Sequence, residues 1–497
     1  MELKLLLSNT SKLLSTKIVQ FILGLVKAKL NAVLLGTTGV GIVNQITTTN
    51  QQFKQFTLLG IPDGLVKQIS SRKDEADFRY KLISSLKSYF ILILISSGIS
   101  FSLLFFFSEE LAVYLFGDIK YINYYYISVF SLSILIVDSI SYSLLRSFKQ
   151  IPLIARGELF ATIFSFFAFV PLIYFYNLFG AVIALIIAML LKLFLNYFYA
   201  RRVILKKFSI KYKDLISDVK VNNDDTKELA TFAGLGLFVG TYRLFTIISS
   251  RALIVSTLGI SSLGLYAPVK TWGGFFTGLV LPTLLTYLYP RFSEAKSNVE
   301  INGILNDVFR LITFAVVPFL FGGIAFGKIT IPFFYSSDFI DSYDYLPGHF
   351  LGILFTMWMV SFGMVFTPTG RIKIYVFFQV IMFTINLLLV YLLLPYIGLY
   401  AWMLYFLVTP IIFFLVYFFY LNRVINFKFE THNLKLMIFV LLSGLSIYFI
   451  SKYYTLFGCL SGLFFILITI FFLKKNEKTY LVSKFHKITY LKIFKRK

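Results

Sequence analysis

Apolar runs long enough to cross a bilayer recur along this chain from near its N-terminus to Leu473, separated by short polar loops. A helical pass through hydrocarbon needs about 20 mainly apolar residues. On that ruler fourteen segments qualify, near residues 12 to 34, 40 to 62, 83 to 107, 122 to 145, 152 to 175, 178 to 199, 229 to 256, 262 to 290, 305 to 327, 346 to 367, 372 to 394, 396 to 421, 433 to 451 and 454 to 473. Lipid offers backbone groups no hydrogen bonds, so only helices and closed barrels span it. The runs are of helix length and do not alternate, which excludes a barrel. The chain is therefore expected to be an all-α integral membrane protein. With 58% hydrophobic and 14% charged residues, its 497 residues leave no room for a separate soluble domain.

The loops fix an expected orientation. Lys67, Arg72, Lys73, Arg79 and Lys81, then Arg146, Lys149 and Arg156, then Arg201 to Lys213 mark one side, and Arg291, Arg371, Arg423 and the tail from Lys474 continue it. The intervening loops hold Glu109, Glu110 and Asp118, or Asp338, Asp341 and Asp344. Cationic loops stay in the cytoplasm, so both termini are expected there, which needs an even number of passes. The net charge of +24 thus reflects topology, not nucleic-acid binding, and the basic tail 474–497 suits a surface of anionic lipid. The first helix is broken by lysines, so it does not read as a cleavable signal peptide.

The two halves of the chain echo each other. Leu35-Gly36-Thr37-Thr38-Gly39-Val40-Gly41-Ile42 is matched by Leu258-Gly259-Ile260-Ser261-Ser262-Leu263-Gly264-Leu265, Pro62 by Pro282, Phe148-Lys149 by Gly370-Arg371 and Asn177 to Ala181 by Pro395 to Leu399. The offset stays between roughly 218 and 223 residues, the mark of an internal repeat. Two parallel six-helix lobes are expected, over 1–200 and 229–421, joined by a hydrophilic linker at 201–228 and followed by two further helices in 433–473. Rocking of two such lobes would open a site to each side in turn, and the glycines Gly24, Gly234, Gly240 and Gly278 would soften the lining helices.

Within the apolar runs, the polar exceptions are concentrated. Lys17, Gln20, Gly24, Lys27 and Asn31 step by three and four residues and share one helix face, and Asn44, Thr47, Gln51 and Lys54 repeat the pattern in the next helix. Arg243, Arg251 and Lys270 add cations from the corresponding helices of the second half. Cations at membrane depth are costly and face a protein interior or a wet cavity, so a cationic cavity suited to phosphate or pyrophosphate is expected. Lys29 lies off the stripe and is expected nearer the membrane surface. Asp138, a lone carboxylate inside the fourth run, is the candidate for coupling to H+ or Na+. Glu158, Arg156 and Arg146 are expected in structural ion pairs at the cytoplasmic mouth. Cys459 stands alone in an apolar run, His349, His432 and His486 have no ligand spacing, and no phosphate-cradling nucleotide loop occurs. Catalytic residues, a metal site, a cofactor and a nucleic-acid partner are accordingly not expected.

A polar, basic first helix ending in Leu35-Gly36-x-x-Gly39-Val40-Gly41, two parallel lobes, and Phe116-Gly117-Asp118 in an outer loop together resemble the polysaccharide-exporting branch of the multidrug/oligosaccharidyl-lipid/polysaccharide exporter superfamily. The likeness is to flippases of the Wzx type and covers about the first 420 residues. It implies a flippase that moves undecaprenyl-pyrophosphate-linked oligosaccharide, an O-antigen or other lipopolysaccharide or surface-polysaccharide repeat unit, from the cytoplasmic to the outer leaflet. It further implies the bacterial inner membrane, head-group contacts at Lys17, Lys27, Lys54, Arg243, Arg251 and Lys270, and polymerase and chain-length proteins as pathway partners. A lipid II flippase and a drug or cation antiporter share the architecture. The antiporter should want an anionic or aromatic lining, and a membrane polymerase should need a large outer loop that the sequence lacks.

Overall fold

The computed structural model describes residues 2–72, 75, 77–210 and 223–472. The basic tail, with His486, and residues 211–222 of the expected linker lie outside the described residues. The described residues contain no strand, and fifteen α-helices carry the fold. In chain order they are α1 (Glu2–Leu58), α2 (Ile61–Ser71), α3 (Phe78–Phe106), α4 (Ser108–Phe116), α5 (Ile122–Ser147), α6 (Ile151–Ala200), α7 (Asn223–Leu258), α8 (Ser261–Leu265), α9 (Ala267–Glu294), α10 (Asn298–Phe334), α11 (Leu346–Gly363), α12 (Ile372–Ile397), α13 (Tyr400–Ile425), α14 (Thr431–Tyr453) and α15 (Thr455–Thr469). Ten helical segments among the described residues are long and apolar enough to cross a membrane. Two of these, one within α1 and one that extends α6 to Ile204, run for 43 and 54 residues, about twice what one pass needs.

Both double-length helices break at one residue. Gly36 (φ 62°, ψ −170°) divides α1, and Asn177 (φ 48°, ψ −128°) divides α6. The left-handed region is open to glycine without penalty and is visited by asparagine more than by most residues. The same backbone breaks recur in the second half: Gly259 stands 223 residues after Gly36, Gly370 stands 221 after Lys149, and Gly398 stands 221 after Asn177, all at positive φ. The echo read from the sequence is thus a repeat of backbone shape. It is placed one residue differently at Lys149, which corresponds to Gly370 and not to Arg371, and three residues differently at Asn177, which corresponds to Gly398 and not to Pro395.

The chain forms two compact units. The first comprises Met1–Phe275, Ile331–Ser342 and Lys373–Tyr405, and the second comprises Phe276–Thr330, Tyr343–Ile372 and Phe406–Lys497. In the first, the two echoed motifs meet each other. A Cβ on Gly41 would overlap the Ile260 carbonyl, and one on Gly264 would overlap the Thr37 carbonyl and crowd the Gly41 amide. This reciprocal contact lets the second leg of α1 and α8 approach backbone to backbone, as small residues do at membrane helix crossings. The second unit has an aromatic core. Trp358 is fully buried, stacks on Phe309 at 4.6 Å and donates from Nε1 to Thr313 at 3.0 Å, with Phe414, Phe362 and Phe429 around it. Cys459 is buried there, its Sγ 3.4 Å from the Ala325 carbonyl.

Candidate functional site

The polar stripe on the second leg of α1 divides its work. Asn50, buried, donates to Ser131 and accepts from Ser128 of α5, each at 2.5 Å, so it fastens helix to helix. Asn44, Gln45 and Thr48 face the other way, toward cations from the second half of the sequence. Arg251 of α7, only 2% exposed, donates from Nε to Gln45 Oε1 at 2.6 Å and from Nη2 to Asn44 Oδ1 at 3.0 Å. Its guanidinium also lies 5.5 Å from the centroid of the Trp402 ring. Lys270 of α9 donates to Thr48 Oγ1 at 3.1 Å and feels the charge of Arg251.

The chemistry of this cluster lies in what it lacks. Among the described residues neither Arg251 nor Lys270 forms an ion pair, and the buried Arg251 Nη1 and Gln45 Nε2 have no hydrogen-bond partner there. Taking an ion out of water costs several kcal/mol even after the protein relaxes. Two adjacent cations held by neutral amides, a hydroxyl and an indole face are therefore an arrangement that an anion would stabilise. Arginine offers a bidentate fork for it and lysine a point charge.

Most of the remaining predicted residues have partners of their own. Lys17 pairs with Glu158 Oε2 at 3.0 Å, and Lys192 pairs with Oε1 of the same carboxylate at 3.1 Å. Lys27 donates to Ser165 Oγ at 3.1 Å and lies 5.5 Å from the Phe169 ring centroid, so it reaches toward α6 without meeting an acid. Lys54 has no ion pair among the described residues but feels both Asp138 and Lys192. Asp138 is 2% exposed and accepts from Asn196 Nδ2 at 2.8 Å. Arg243 is exposed, and its charge acts with that of Arg251 on Tyr405. Lys29 donates to the Pro332 carbonyl at 3.0 Å, one of the orphan acceptors at the C-terminal end of α10. Arg146 pairs with Asp63 at 2.8 Å.

Sequence reasoning passed over Lys192 and Gln45. Lys192 carried a signal, a single lysine in the run Leu190-Leu191-Lys192-Leu193-Phe194, inside a span. Gln45 carried none, because it adjoins Asn44 and only the fold turns it to Arg251. No group of three or more potential metal ligands occurs among the described residues.

A family model described as polysaccharide biosynthesis protein matches residues 6–296. No curated protein matches the sequence. Among solved structures, the lipid II flippase MurJ in an inward closed conformation superposes with a TM-score of 0.71 at 18% identity, covering 93% of this chain and 98% of that one. An inward-facing multidrug resistance MATE family transporter of the MOP superfamily gives 0.67 at 11% identity, covering 84% and 98%. A MOP superfamily transporter from Pyrococcus furiosus, described as having a binding pocket of reverse polarity, gives 0.52 at 13% identity, covering 84% and 95%. The fold is that of MOP superfamily transporters.

Proposed function

Because the chain belongs to the polysaccharide biosynthesis protein family, we propose that it is a flippase for undecaprenyl-pyrophosphate-linked oligosaccharide, the repeat unit of O-antigen or another surface polysaccharide. It acts in the bacterial inner membrane, crosses it fourteen times with both termini in the cytoplasm, and carries its cargo from the cytoplasmic to the outer leaflet by alternating access. The observation that carries this reading is the pair Arg251 and Lys270, held by neutral partners with no ion pair to a carboxylate among the described residues. A sugar-pyrophosphate cannot cross hydrocarbon unaided, because burying uncompensated charge and polar groups costs several kcal/mol each. A cationic seat lowers that barrier while most of the prenyl chain stays in lipid. An inside-negative potential also favours outward movement of negative charge, by roughly 2.3 kcal/mol per charge per 100 mV.

Lys27 and Lys54, neither of them in an ion pair among the described residues, extend the cationic path, and Lys17 enters it through its shared carboxylate. Asp138, buried beside Asn196 and in the field of Lys54, is the residue through which H+ or Na+ couples. A lipid II flippase has the same head-group chemistry and is the second reading, favoured by the superposition on MurJ. A cation antiporter is disfavoured by the same unpaired cations. In proteoliposomes carrying fluorescent lipid-linked oligosaccharide, protection of the label from an impermeant quencher should report transport. Lys27→Glu and Lys54→Glu should abolish it and Lys→Arg at either site should preserve it; full activity of both charge reversals overturns the reading. Binding of lipid-linked oligosaccharide but not of a cationic dye separates flippase from drug pump.

A further inference from the structure

An apolar crevice of about 480 Å³ lies in the first unit among α1, α3, α4 and α7. Phe53, Phe56, Leu103, Phe107, Leu244 and Phe245 form most of its wall, and its few polar lining groups are hydroxyls, with no charged residue. Leu103, Phe107 and Phe245 are exposed at its rim. A cavity of this size is in the range that holds a ligand, and an apolar one gives water too few partners to fill it. Most of its wall belongs to α1, α3 and α7, which are long and apolar enough to span a membrane, so the natural occupant is a hydrocarbon chain.

Two of the four helices that shape it, α1 and α7, also help to hold the cation cluster. On α7, Ile248 lines the crevice and Arg251 follows three residues on, about 4.5 Å along the axis. On α1, Thr48 receives Lys270 and Phe53 opens the crevice about 7.5 Å further on. An anionic head at the cluster and a chain in the crevice are therefore the two ends of one amphiphile. We infer that the crevice seats the first isoprene units of the polyprenyl carrier while Arg251 and Lys270 hold its pyrophosphate, an assignment that rests on the flippase reading. Charge complementarity selects this lipid. A pyrophosphate brings several negative charges and no amine, whereas a zwitterionic phospholipid would set its own ammonium against two unpaired cations.

The test uses the full-length protein in nanodiscs of zwitterionic phospholipid, with undecaprenyl pyrophosphate and inorganic pyrophosphate as separate probes. Leu244→Trp, which fills the crevice, should weaken undecaprenyl pyrophosphate tenfold or more and leave inorganic pyrophosphate unchanged, while Arg251→Gln should weaken both. Undecaprenyl pyrophosphate affinity that survives Leu244→Trp but falls in Arg251→Gln overturns the crevice assignment and leaves the flippase reading standing. Undiminished affinity for both probes in Arg251→Gln overturns the flippase reading itself. A photoreactive residue in place of Phe245 decides the matter even if Leu244→Trp misfolds. Adducts with undecaprenyl pyrophosphate that excess unlabelled carrier suppresses support the assignment, and adducts with phospholipid alone refute it.

Discussion

Arg251 in the first unit and Arg310 in the second are buried alike, at 2% and 3% exposure, and are partnered in opposite ways. Arg310 meets Asp307 at 2.8 Å and Glu430 at 3.7 Å. Arg251 meets two amides and an indole. Both arginines are buried, so burial alone does not separate a structural cation from a binding one. The counter-charge does: an arginine neutralised within its own fold has nothing left to attract a ligand, and one held by neutral dipoles keeps its field.

The contrast can be broken by exchanging the two situations. Arg251→Gln should reduce transport about 100-fold, equivalent to ~2.7 kcal/mol, without lowering Tm, because it removes a buried charge that no acid compensates. Gln45→Glu should give Arg251 the carboxylate that Arg310 has, and is expected to cut transport about tenfold while raising Tm, as read by a thermal shift in detergent. Arg310→Gln should do the reverse, lowering Tm while leaving transport per folded molecule within about twofold, since it breaks a buried ion pair internal to the second unit. Gly264→Ala sharpens the comparison from the side of packing. Its Cβ meets the Thr37 carbonyl, so roughly 1–3 kcal/mol of destabilisation should appear as reduced folded yield in fluorescence-detected gel filtration. The smallest effect belongs to Arg146→Ala, whose pairing with the largely exposed Asp63 should contribute no more than about 1 kcal/mol and leave both Tm and transport near the parent.

Much of this architecture was legible without coordinates. Apolar runs of helix length admit one class of structure in lipid, whatever the packing. The glycine echo at Gly36 and Gly259 was visible as a repeated string, and it proved to be a repeated left-handed break. The candidate cations were equally visible, since charge in an apolar run is conspicuous. Their partners were not. Lys17 and Lys27 lie on one stripe, but Lys17 ends on a carboxylate and Lys27 on a serine hydroxyl.

Asn44, Gln45 and Asn50 look interchangeable in the sequence, yet two hold Arg251 and the third clamps α5. Local periodicity fixes which face of a helix a residue occupies, and hydropathy fixes that the helix is in the membrane, so the sequence by itself determined the all-α membrane class, the repeat and the stock of candidate cations. Whether each cation is neutralised depends on which distant helix supplies the atom 3 Å away. That was decided only by the tertiary structure, because hydrogen bonds and ion pairs act over contact distances between residues as far apart as Gln45 and Arg251.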